Sequence, residues 1–84
     1  MYGIRLVTVG QILGRTILFN AIFGKSGAIK AVCLQVQKAC IENDIAMVKA
    51  LLKTIANQDS AVFEEMEKIM RETLTEEEWL NLVN

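Results

Sequence analysis

AVFEEMEKIMRETLTEEEWLNLV, residues 61–83, is the stretch whose reading decides the fold. Phe63, Met66, Ile69, Met70 and Leu74 recur at steps of three and four, which sets them along one side of a helix. Glu64 with Lys68, and Glu67 with Arg71, stand four apart in the Glu-first order that supports an exposed helical face. A helix is therefore predicted from about Ala61 to Thr73. Thr75 with Glu78 three residues on fits a capping box, and Leu74 and Trp79 occupy the positions of a hydrophobic staple. Glu76, Glu77 and Glu78 also suit the positive end of a helix dipole. A short final helix from Glu76 to about Val83 follows, with Leu80 and Val83 expected to dock it.

Moving toward the N-terminus, Asn57 to Ser60 is polar throughout and reads as a turn. Before it, Asn43 or Asp44 caps a helix running to about Ala56, with the stripe Ile45, Val48, Leu52 and Ile55. Residues 27–42 form another helix, capped by Ser26, whose apolar face carries Ile29, Val32, Cys33, Val36, Ala39 and Cys40. From Gln11 to Phe23 the chain is apolar nearly all round, as in a helix that is buried centrally or sits in an oligomer. Residues 2–9 are rich in β-branched side chains and suit a short strand as well as a first helical turn. The chain has no proline, so caps and glycine must end its helices. The predicted fold is all-α: one domain over residues 1–84, a small bundle of four to five short helices, with a strand at 2–9 left open.

ACIENDIAMVKALL, residues 39–52, resembles the helix–turn–helix core of an ankyrin repeat, in which small residues precede a polar turn and a V-K-x-L-L run. The likeness covers 14 residues. The Thr-Pro-Leu-His turn is absent and no second copy follows, so the segment is read as two helices joined by a polar turn.

With 84 residues there is one core to fill, yet 52% of them are apolar with Gly left out. A chain this short buries only about 60–65% of the surface its unfolded form exposes. The surplus must meet another copy, another protein or a lipid surface. Net charge is −1 but unevenly placed. Residues 1–41 hold Arg5, Arg15, Lys25, Lys30 and Lys38 and no acid, whereas residues 42–84 hold ten acids against four bases. Such a division suits pairing between the halves, within a chain or between chains, or attraction of the first half to an anionic surface.

Cys33 and Cys40 lie seven apart on one helix, roughly 10 Å between Cα atoms, too far for a disulfide with each other. They read as small buried hydrophobes of a reducing, cytoplasmic protein. With no histidine and no CxxC pair, a zinc site lacks ligands, and no metal or cofactor is expected. Asn57, Asp59 and Ala61 begin like a calcium loop, but Val62 stands where its glycine belongs and Lys68 where its last glutamate belongs. Gly24-Lys25-Ser26 resembles the end of a phosphate-binding loop, but Phe19 occupies the position of the first glycine. Neither cysteine and no serine has a histidine to activate it, which argues against an enzyme.

Residues 4–24 approach the length of a membrane span, but Arg15 near the middle costs about 2.5–3.5 kcal/mol and splits the run. Gly10 and Gly14 form a GxxxG spacing that lets two helices approach closely, in a membrane dimer or within a bundle. A DNA-binding reading of residues 27–56 would leave only Lys49 and Lys53 on the reading helix. The expected function is a non-enzymatic protein–protein interaction module, self-associating as a homo-oligomer through its N-terminal helix. The candidate partner-binding residues are Ile12, Leu13, Ile17, Phe19 and Phe23. The alternatives are a membrane-associated protein that touches lipid through residues 4–24 and a helical DNA-binding regulator.

Overall fold

A computed structural model describes residues 5–16 and 27–84. Among these residues there are five α-helices and no strand: α1 (Leu6–Thr16), α2 (Gly27–Ile41), α3 (Ile45–Gln58), α4 (Ser60–Thr73) and α5 (Glu76–Val83). The choice left open at the N-terminus falls to helix for residues 6–9, and residues 2–4 lie outside the described residues. α1 therefore starts five residues earlier than its apolar run implies, because Leu6 and Val9 join Leu13 on one buried stripe. The proposed Ser26 cap also lies outside the described residues.

Each boundary has a local cause. α2 ends in a Schellman motif: Asn43 adopts φ 58°, its N–H donates to Cys40 O at 3.0 Å, and the Asp44 N–H donates to Ala39 O at 2.9 Å. Asp44 then caps α3 by accepting from the Met47 N–H at 3.1 Å. The segment that resembles an ankyrin core is thus two helices joined by a left-handed asparagine.

The expected four-residue turn at 57–60 shrinks to Asp59 alone. The Asp59 N–H donates to Ile55 O at 2.8 Å and closes α3. Its carboxylate accepts from the Val62 N–H at 3.2 Å and opens α4. One residue serves as both caps, so Asn57, Gln58 and Ser60 remain helical. At the last junction the capping box is complete: the Glu78 N–H donates to Thr75 Oγ1 at 3.1 Å, and the Thr75 N–H donates to Glu78 Oε1 at 2.8 Å. Leu74 and Trp79, the staple pair, are both buried.

The buried faces converge on one core. α1 packs against α2 and α4, α3 joins α2 to α4, and α5 closes over α3 and α4. Val36, Val48, Ile55, Met66 and Met70 are fully enclosed at the centre. The last helix docks through Trp79 and Leu82 rather than Leu80, which stays 43% exposed. Glu78, Trp79 and Leu82 share the inward side at steps of one and three, and Val83 packs half-buried at its edge. Burying Trp79 and Leu82 stabilises the closure by about 1.5–3 kcal/mol each. The Trp79 ring leans on Phe63, with centroids 6.1 Å apart and planes tilted by 44°.

Two arginines tie the outside together. Arg71 bridges Glu67 on its own helix, at 3.1 Å, and Glu76 in the first turn of α5. Arg5 reaches across the bundle and donates from Nη1 to Thr73 O at 3.2 Å, filling one of the carbonyls left open at the end of α4. This contact is to a backbone carbonyl, so it does not pair the basic first half with the acids of the second.

Candidate interaction surface

The sequence-derived candidates separate once folded. Leu13 is 2% exposed and belongs to the chain's own core. Ile12 is half-buried and packs against that core. Both are held inside the molecule because α1 lies between α2 and α4 and needs two sides covered rather than one. Ile17, Phe19 and Phe23 lie outside the described residues.

The crossing of α1 over α2 depends on the absence of two side chains. A Cβ placed on Gly10 would stand 2.7 Å from Ile41 Cγ1 and 3.1 Å from both Gln37 O and Ile41 N. A Cβ on Gly14 would run into the amide end of Gln37. Gly14 meets Gln37 while Gly10 meets Gln37 and Ile41, so the two helices run antiparallel at this contact. The GxxxG spacing thus serves a close crossing within the bundle, where backbone approaches backbone.

Around this crossing the surface is unusually apolar. Among the described residues six large hydrophobic side chains are exposed: Val7, Leu34, Ile41, Ile45, Met47 and Leu80. Five of them belong to α1, α2 and the first turn of α3. Val7 lies one turn before Gly10 along the α1 face that meets the end of α2. Ile41 lies against Gly10 itself, and Ile45 follows directly after the Asn43 turn. Leu34 shares the Ile41 side of α2 two turns back. Lys30 and Lys38 border this strip and Arg15 ends α1, all three exposed. Leu80 stands apart on α5, beside the exposed Glu76 and Glu77.

None of these six was singled out for partner binding by sequence, although a signal existed for two. Leu34 and Ile41 fall off the Ile29–Cys33–Val36–Cys40 stripe and lie among the polar positions Lys30, Gln37 and Lys38. An apolar residue on the polar side of an amphipathic helix is left partly open to solvent, as Leu34 and Ile41 are here.

The chemistry of the remaining groups is quiet. Cys33 and Cys40 are free and buried. Burial pushes the Cys33 thiol up to about 11, aided by the negative charge of Asp59, and pushes Cys40 up to about 12. Both are held as thiols. Among the described residues no three Cys, Asp or Glu side chains gather as a metal site. Among the same residues no helix is long and apolar enough to cross a membrane. Set beside protein families, curated proteins and solved structures, the chain matches none of them.

Proposed function

We propose that this chain is a non-catalytic protein–protein interaction module that associates with copies of itself. The observation that carries the reading is the apolar strip of Val7, Leu34, Ile41 and Ile45 around the Gly10 crossing, exposed by 37–48%. Isolated exposed hydrophobes are ordinary, but several on the elements around one helix crossing are what a docking face presents. Charge supplies the case for a second copy as the occupant. Lys30 and Lys38 stand beside Leu34, with Glu42 and Asp44 at the Ile41–Ile45 end, whereas Leu80 is flanked by Glu77 and by Glu76, which Arg71 already pairs. Setting α5 of one copy on the Lys30–Lys38 end of the α1–α2 face of another buries both apolar surfaces and opposes Glu77 to lysine. Contacts of this head-to-tail kind close into rings or extend as chains.

Size-exclusion chromatography with light scattering in detergent-free buffer tests the reading. The expected result is a defined multiple of 9.4 kDa that falls toward monomer in Leu34→Glu and Ile41→Glu. Both side chains are already about half exposed, so the fold tolerates the charge. Phe19→Glu asks the same question of the N-terminal segment. A wild-type monomer at high concentration rules out self-association, and an oligomer that none of the three substitutions changes rules out these faces as its contact.

A further inference from the structure

Helices α3, α4 and α5 leave an open recess of about 110 Å³. Ala56, Phe63, Leu82 and Val83 form its apolar lining, and Lys49 and Lys53 stand along one edge. The two lysines are one turn apart on α3, a spacing at which like charges repel. Among the described residues neither is paired with an acid, the ion pairs there being those of Arg71. This is a local excess of positive charge in the acidic half of the chain, set directly beside an apolar hollow.

We infer that the α3–α5 recess is a binding site for a small carboxylate with a short aliphatic tail, its tail against Phe63 and Leu82 and its carboxylate between Lys49 and Lys53. A carboxylate between the two ammonium groups relieves their repulsion, and an apolar lining with a few charged groups at one edge is the usual make-up of a small-ligand site. At about 110 Å³ the recess is small, and being open to solvent it needs to cover only part of a short aliphatic tail. The site is separate from the apolar strip on α1 and α2 and does not depend on self-association.

Trp79 gives the site its own reporter. It is the only tryptophan, and its ring leans on Phe63, which lines the recess. Hexanoate titrated into the full chain at constant ionic strength is expected to shift Trp79 emission saturably. Hexanol, with the same tail and no charge, should bind about tenfold more weakly, and hexylammonium should give no response. Lys49→Gln/Lys53→Gln should weaken hexanoate by about tenfold and leave hexanol unchanged, which separates lost charge from lost folding. The inference is overturned if hexanoate gives no saturable response, if hexanol matches it, or if the double variant binds hexanoate as wild type does. A response to an acidic peptide without one to hexanoate also overturns it and assigns the recess to a protein partner.

Discussion

Gly10 of α1 lies against Ile41 of α2 so closely that a single added carbon would sit 2.7 Å from Ile41 Cγ1. Gly14, one turn later, meets only the flexible end of Gln37. The two glycines therefore respond differently to alanine. At either position alanine favours the helix by about 1 kcal/mol. At Gly10 the added carbon also faces backbone atoms of Gln37 and Ile41 at 3.1 Å, and forcing extra volume into such a contact costs about 1–3 kcal/mol. Gly10→Ala is expected to lower stability by about 1 kcal/mol, and Gly14→Ala to be neutral or stabilising as Gln37 swings aside. Urea denaturation of the two variants checks this, and equal effects would show that the crossing is not tight at Gly10.

Asn43 is the non-glycine residue with positive φ among those described, and two backbone hydrogen bonds depend on that conformation. Asparagine tolerates the left-handed region better than most residues, and glycine better still. Asn43→Gly should raise stability by a few tenths to about 1 kcal/mol, and Asn43→Val should lower it by about 1–2 kcal/mol. Thermal melts of the pair should move in opposite directions. A shift of the same sign in both would mean that this turn does not hold α2 to α3.

The features legible in the sequence are those fixed by residues three and four apart. The Thr75–Glu78 box forms because each group satisfies the other's neighbouring N–H, with no help from the rest of the chain. The stripes of α2 and α4 were readable for the same reason. The end of α3 was not, because Asn57 and Gln58 belong to a turn by composition and remain helical only because Asp59 caps in both directions. Leu80 and Ile45 share the spacing of core residues yet lie outside. Which of two apolar flanks goes inward depends on the helix opposite, and sequence periodicity contains no record of that. Leu13 makes the same point for the candidate site: an all-round apolar helix shows that two sides need cover, but not whether the cover comes from the same chain.

The capping box itself can be weighed. Thr75→Ala removes the acceptor for the Glu78 N–H and should cost about 1 kcal/mol. Because α5 carries Trp79, the loss should appear first as local opening, with faster amide exchange across 76–83 and little change in α2. Thr75→Ser, which keeps the hydroxyl, should restore most of it. Uniform loss of protection across all helices would place the box in the global folding unit instead.

Cys33 and Cys40 give a last, pH-dependent test. Their thiols titrate near 9.0 when solvated and are pushed up to about 11 and about 12 when folded. At pH 8 the folded chain should therefore carry roughly 100-fold less thiolate at Cys33, and still less at Cys40, than an unfolded chain does. Alkylation by iodoacetamide should proceed only through opening, at a rate that rises with urea. Stability follows the same groups. Below about pH 9 both states hold the thiol proton and the two sites contribute no slope. Above it the unfolded chain loses protons that the folded chain retains, so stability falls as pH rises toward 11 and 12. Urea midpoints measured from pH 8 to 11 should show this decline in wild type and a shallower one in Cys33→Ala/Cys40→Ala, where lysine and tyrosine titration is retained. Parallel slopes in the two proteins, or rapid alkylation of the native chain, would mean that the cysteines open to solvent without unfolding.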